Sequence, residues 1–296
     1  MKTNPILSTT VAALLALTTV PAISQATNYN SNTTISGTVT DTSVAINSNA
    51  IVEVVAGGTW NASGNFYINN NSSSNSTVLV NGGILNYAGG GGDGFQVGWY
   101  YGGNFNISAG EANFSSVLRM YNGDINISGG TLNLLSNNLQ VGEYGDSLFN
   151  SVSISGGTAN IRGIQYDGGG GASGQYNVAL SGTGTLSIGS YGIDAGSGKP
   201  GSLNFSGGTL NLGNVGAIRR SFGTNGIFDI VDNLFIGGVP QPAGVWGGVG
   251  SGAANETSLI QNGDTLTVLS TVPEPSAMLL SGSSLIGLLA LRRRRE

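Results

Sequence analysis

The stretch Ile125-Asn-Ile-Ser-Gly-Gly-Thr-Leu-Asn-Leu134 decides the fold. On either side of the Gly pair it alternates. Ile125, Ile127, Leu132 and Leu134 fall on one face, and Asn126, Ser128, Thr131 and Asn133 on the other. Period two is the signature of a half-buried strand. The Gly pair lets the chain turn where a Cβ would clash. The unit recurs as Leu203-Asn-Phe-Ser-Gly-Gly-Thr-Leu-Asn-Leu212, and more loosely over 152–161, 105–114, 78–87 and 178–188. The loosest copy surrounds Gly57-Gly58. First positions of the pair fall at 57, 82, 109 (an Ala), 129, 156, 182 and 207, so the period is about 25 residues with one short step of 20.

Two short strands joined by a Gly corner and repeated at this period predict an all-β, Gly-rich parallel β-solenoid over residues 27–212. Stacked at ~4.8 Å, seven coils make a rod of roughly 30–35 Å. Stacking also predicts ladders. The third position after the pair is Asn61, Asn86, Asn113, Asn133, Asn160, Ser187 and Asn211, and an Asn column can bond amide to amide as in stacked cross-β strands. Thr59, Thr131, Thr158, Thr185 and Thr209 form a second polar row, ~6.6 Å away across one residue. The ladder predicts that Asn133→Asp destabilises the stack more than Asn150→Asp, because Asn150 lies outside the motif.

Composition agrees. Gly is 51 of 296 residues and charged residues are 8%, against usual values of ~7% and ~25%. Apolar residues still make up 39%, which separates the chain from charged disordered sequences. With no Cys and no His, disulfides, thiolate chemistry and the commonest general base are excluded. Lys2 and Arg292–Arg295 hold five of the ten basic residues, which leaves five between the ends against 14 acids once Glu296 is set aside. Such a body repels nucleic acid.

The two ends are built differently. Lys2, the apolar run 6–20, Pro21 and Ser24-Gln25-Ala26 have the layout of a signal peptide over 1–26, with cleavage expected after Ala26. At the other end stand Pro273-Glu274-Pro275, an uncharged segment 277–291 and Arg292, Arg293, Arg294 and Arg295. As a helix, that segment measures ~22 Å. Arg snorkelling shortens the mismatch with a ~30 Å hydrocarbon core. The Arg cluster stays cytoplasmic, which puts the body outside, as the signal peptide also requires.

Residues 272–296 resemble the PEP-CTERM sorting signal, also known as the ice-binding protein C-terminal domain. The resemblance implies an exosortase as partner, transient membrane anchoring through 277–291 in a Gram-negative bacterium, and cleavage near Pro273-Glu274-Pro275. It also implies a cell-surface or extracellular destination, often alongside exopolysaccharide. The repeat unit resembles the autotransporter-associated β-strand repeat. Residues 234–253 resemble the closing segment of such proteins, so 213–271 is expected to cap the open sheet edge.

Other motifs carry less. Gly89–Gly94 fits a phosphate-loop pattern only because it is nearly all Gly, and no helix follows it. Asp93 and Asp167 lack the nonapeptide period of calcium-binding repeats. Glu143 with Asp146, and Asp229 with Asp232, read as loop acids rather than glycosidase pairs. Arg219 and Arg220 read as partners of nearby acids or as the repeat-to-cap junction, not as catalytic residues. Trp60, Trp99, Tyr100 and Tyr101 read as core or corner fillers before sugar platforms. The reading is a non-enzymatic surface or matrix protein with no catalytic residue, cofactor or metal. Its rivals are a carbohydrate- or ice-binding module on the Thr and Asn rows, and a β-helix polysaccharide lyase or hydrolase.

Overall fold

The computed structural model describes residues 25–69, 75–89, 94–99, 102–141, 150–166, 176–195, 201–213, 229–260 and 265–270. Every regular element among them is a strand. The expected sorting signal, residues 1–24 of the expected signal peptide, Asp93, Tyr100, Tyr101, Glu143, Asp146, Asp167, Arg219 and Arg220 lie outside the described residues.

The repeat folds as a parallel β-solenoid. In the reference coil, Gly123–Ile127 is a leading strand, the Ser-Gly-Gly corner follows, and Thr131–Leu134 is the next strand. Leading strands stack in register, with Ile127 between Ile107 and Ile154. Following strands do the same, with Leu132 between Ala112 and Ala159.

Two strands per coil are expected from the sequence, but the structure has three. Phe66–Ile68, Phe95–Val97, Leu118–Met120 and Leu139–Val141 stack in register as a third parallel sheet. The sheet continues into the end of the Thr158–Tyr166 strand and then into that of Thr185–Ala195. Its pattern is only apolar-x-apolar, and its distance from the Gly pair varies. Phe66 lies nine residues after Gly57, whereas Phe95 lies thirteen after Gly82. A repeat search anchored on the Gly pair therefore passes over it.

The short step of 20 does not disturb the stack. Only Tyr121 and Asn122 separate the third strand Leu118–Met120 from the next leading strand, and Gly123 still pairs with Gly103. Twenty residues suffice for a three-sided coil here, and longer steps add connecting chain.

Register also extends beyond the seven copies of the unit on both sides. At the N-terminal side a further coil comprises Thr33–Ile35 and Thr38–Ile46, with Thr40 pairing Asn61. Gln25–Tyr29 lies beyond it, against residues 41–46. At the other side stacking does not stop at residue 212. Asn233–Ile236 pairs with Thr209–Leu212 and then folds back antiparallel onto Val239–Pro240. A four-stranded sheet of Asp229–Val231, Thr265–Val268, Gly244–Gly247 and Asn255–Glu256 closes this end. A single bridge from Ile230 to Ser206 joins it to the leading sheet.

Inward residues fill the coil. Ile125, Ile127, Leu132, Leu134, Leu139 and Val141 are wholly buried, each contributing about 1.5–3 kcal/mol. The N-terminal half is aromatic: Trp60 packs on Phe66 at 5.1 Å, Phe66 stacks on Phe95 at 4.1 Å, and Phe95 meets Phe114 edge-on at 4.9 Å. From Ile125 onward the core is mostly aliphatic, with Phe205 and Trp246 as its buried aromatics.

The Gly corner is held by close backbone approach. Gly130 has φ 64°, and a Cβ built on it would stand 2.6 Å from the Gly110 carbonyl oxygen of the preceding coil. Gly37 occupies the equivalent corner of the first coil, where a Cβ meets nothing within 4 Å. We expect Gly130→Ala to cost about 2 kcal/mol or more, from left-handed strain plus the clash. Gly37→Ala should stay within about 0.5 kcal/mol. Paired urea titrations of the two variants measure this, and equal midpoints would contradict the corner argument.

Candidate functional site

The following sheet carries its polar side chains outward because Leu132, Leu210 and their equivalents take the inward positions. Register then places Asn61, Asn86, Asn113, Asn133, Asn160, Ser187 and Asn211 in one column. Four consecutive amide bonds run along it. Asn86 Nδ2 donates to Asn61 Oδ1 at 2.9 Å, Asn113 to Asn86 at 3.1 Å, Asn133 to Asn113 at 2.8 Å, and Asn160 to Asn133 at 2.9 Å. Thr40 precedes the column and Phe235 follows it.

The Thr row runs beside it. Thr131, Thr158, Thr185 and Thr209 are successive neighbours. Toward the N-terminus Ile84 and Glu111 interrupt the row before Thr59. Each bonded Asn has a second N–H and a second lone pair to offer. With the Thr hydroxyls they make a flat donor and acceptor grid at ~4.8 Å along the stack. Such a grid can meet a ligand that also repeats its hydroxyls.

The other two faces carry polar columns that the sequence reading did not single out. On the leading sheet Asn126 Nδ2 donates to Asn106 Oδ1 at 3.0 Å. On the third sheet Gln96, Arg119, Gln140 and Gln165 share one column, in which Gln96 is buried and the other three are half-buried. Arg119 Nε donates to Gln140 Oε1 there at 2.9 Å. The middle residue of each apolar-x-apolar triplet is the only signal for this column. Half-buried Trp99 lies edge-on between Tyr67 at 6.4 Å and Tyr121 at 4.7 Å. Trp60 is fully buried in the core.

The described acids do not converge. Asp41 is buried near the N-terminal end, where its carboxylate accepts bonds from Thr27, Tyr29 and Trp60. The Tyr29 phenol is held well above its ordinary pKa by burial, by the adjacent Asp41 charge and by the bond to it. Asp124 is half-buried on the leading face. Burial pushes its carboxyl up, and the hydrogen bond with the Ser151 backbone opposes that shift. Asp232 Oδ2 accepts the Gly208 N–H at 2.8 Å, which is a capping contact. In the closing sheet Glu256 accepts the Gly250 and Gly252 N–H groups at 3.1 and 3.0 Å, and these hold its pKa below the usual value. Ala26 is exposed on the outermost strand.

Asn150 corrects an expectation. It is 2% exposed. Its Oδ1 accepts the Gly123 N–H at 2.9 Å, and its Nδ2 donates to the Tyr121 carbonyl at 3.0 Å. It brackets the two-residue turn of the preceding coil, so it is no neutral control. The exposed Asn204 on the leading face serves instead. We expect Asn133→Asp to cost about 1–3 kcal/mol at neutral pH, because a half-buried charge replaces the donor to Asn113. Asn204→Asp should cost less than about 0.5 kcal/mol. Denaturant midpoints of both variants provide the check, and equal losses would remove the ladder from the stability argument.

One family model matches the chain, the PEP-CTERM protein-sorting motif, over residues 271–295. No curated protein and no solved structure shows significant similarity to it. A PEP-CTERM motif is a substrate signal for exosortase and implies export to the cell surface or beyond in Gram-negative bacteria. By its C-terminus, then, this β-solenoid carries the sorting signal of an exosortase substrate.

Proposed function

We propose that the chain is a non-enzymatic structural protein of the cell surface or extracellular matrix. It is delivered by its N-terminal signal peptide, sorted through residues 272–296, and associated with exopolysaccharide. The observation that carries this reading is the sorting motif on a regular, rod-forming body. The architecture is quasi-one-dimensional, which suits a spacer or scaffold. The composition supports the absence of catalysis, with no His and no Cys in the chain. Among the described residues the two cations stand apart. Arg119 is bonded to Gln140 on the third sheet, and Arg162 donates to the Ser136 carbonyl at 3.4 Å. Lyase chemistry needs a base beside a charge-stabilising cation, and these two bonds run instead to a side-chain amide and a backbone carbonyl.

The register of Thr and Asn favours a second reading, in which the following sheet binds a carbohydrate or orders water as an ice-binding face does, without turnover. Regularity from Thr131 to Asn211 supports it. Thr-x-Thr is confined to Thr38-Val-Thr40, Thr40-Asp-Thr42, Thr183-Gly-Thr185 and Thr265-Leu-Thr267, which do not form a ladder, and this weighs against ice.

Sorting is tested by replacing Arg292–Arg295 with neutral residues. Loss of the positive-inside brake should disturb retention and C-terminal processing, read by intact mass of the surface-associated protein. A wild-type surface form still ending in Glu296 would refute exosortase processing. For the body, the purified protein is incubated with the producing cell's own exopolysaccharide, with and without calcium. Unchanged polymer length is expected, with or without binding. Steady shortening abolished by an Asp or Arg substitution would make the protein an enzyme.

A further inference from the structure

The N-terminal end of the solenoid holds a buried acid with no cation bonded to it among the described residues. Asp41 is 4% exposed. Its Oδ1 accepts the Thr27 hydroxyl at 2.5 Å, and its Oδ2 accepts the Tyr29 hydroxyl at 2.9 Å and the Trp60 indole N–H at 2.7 Å. All three donors are neutral. The two described cations, Arg119 and Arg162, are bonded elsewhere. A buried carboxylate held only by neutral groups forgoes the partner that usually offsets its desolvation.

Thr27 is also the residue that cleavage after Ala26 would leave at the new N-terminus. Its amine is separated from its hydroxyl only by Cα and Cβ, and that hydroxyl already touches the carboxylate. Ala26 is exposed. Removing Gln25 and Ala26 leaves Thr27, Asn28 and Tyr29 paired with Val44, Ala45 and Ile46, and leaves the Asn47 N–H bonded to the Tyr29 carbonyl at 2.9 Å. The strand survives the cut and gains a positive charge at its first atom.

We propose that removal of the signal peptide completes the N-terminal end of the solenoid, because the new α-ammonium of Thr27 pairs with Asp41. Peptide-bond hydrolysis between Ala26 and Thr27 converts a neutral amide nitrogen into an amine, which takes up a proton at neutral pH. In the precursor the same nitrogen is uncharged, and among the described residues Asp41 has hydroxyl and indole donors alone. Maturation thereby couples export to the tightening of the last exposed coil. The inference rests on export and on cleavage at the Ala26–Thr27 bond.

The test uses the processed full protein, purified from the cell envelope in detergent. Mass spectrometry of the N-terminal peptide should show a chain beginning at Thr27. Once Lys2 is removed, Lys199 is the only other amine and serves as the internal reference. Reductive methylation with a carbon-13 label, followed by NMR titration, should place the Thr27 amine above its ordinary ~7.7–8.0. Each unit of rise slows its acylation at pH 7 by about tenfold relative to Asp41→Asn, with Lys199 unchanged. A raised ammonium pKa stabilises the fold fully below ~7.7, and that contribution is lost as pH rises through the folded value. Asp41→Asn should remove this pH dependence of the unfolding midpoint. If that variant does not fold, the wild-type titration decides alone. A mature chain beginning elsewhere refutes the cleavage position. A chain beginning at Thr27 whose amine titrates at the ordinary value, or identically in Asp41→Asn, refutes the pairing while leaving export intact.

Discussion

Backbone packs on backbone at the Gly corner, and the rest of the solenoid depends on that contact. The carbonyl of one coil points into the space where a side chain of the next would stand, as at Gly110 above Gly83 and Gly130 above Gly110. A side chain there would lift one coil off its neighbour and stretch the interstrand bonds on all three sheets. The Gly pair sets the vertical spacing, and the spacing makes the columns of like residues possible. The Asn amides can bond in series only because their strands are held at one interstrand distance.

Stability and surface chemistry are divided cleanly by the pleat. Inward positions accept any apolar residue that fits, so an aromatic pile around Phe66, Phe95 and Phe114 gives way to Ile, Leu and Val without a change of register. Outward positions are nearly free of charge and rich in amides and hydroxyls. Neither cap continues this pattern. Asp41 closes one end with a buried carboxylate, and Glu256 with Trp246 organises a loop in the sheet at the other.

Much of this was legible because local and global signals coincide in the ten-residue unit. Alternation reported the strands, and the Gly pair reported the corner. Vertical identity of residues such as Asn113 and Asn133 reported the parallel register. The third sheet was illegible for a physical reason. Four of its strands are three residues long, their spacing from the corner varies, and a triplet such as Leu118-Arg119-Met120 has too few alternations to stand out. The role of Asn150 was hidden because it bonds the backbone of another coil, 27 and 29 residues away at Gly123 and Tyr121. The Asp41 cluster was hidden likewise, since Thr27, Tyr29 and Trp60 converge on it only after the chain has wound through two coils.

The amide column has a direction. In all four bonds from Asn160 back to Asn61 the Nδ2 donates to the preceding coil and the Oδ1 accepts from the following one. Aligned in this way, the amide dipoles polarise one another, as hydrogen-bonded chains do. The column is therefore vectorial, with a donor end and an acceptor end. A duplicated coil bearing Asn at this position would slot in anywhere along the run with its dipole already aligned. A deleted coil would let its two neighbours rejoin in the same sense. Genetic gain or loss of whole repeats would thus change the length of the rod while keeping the direction of the column.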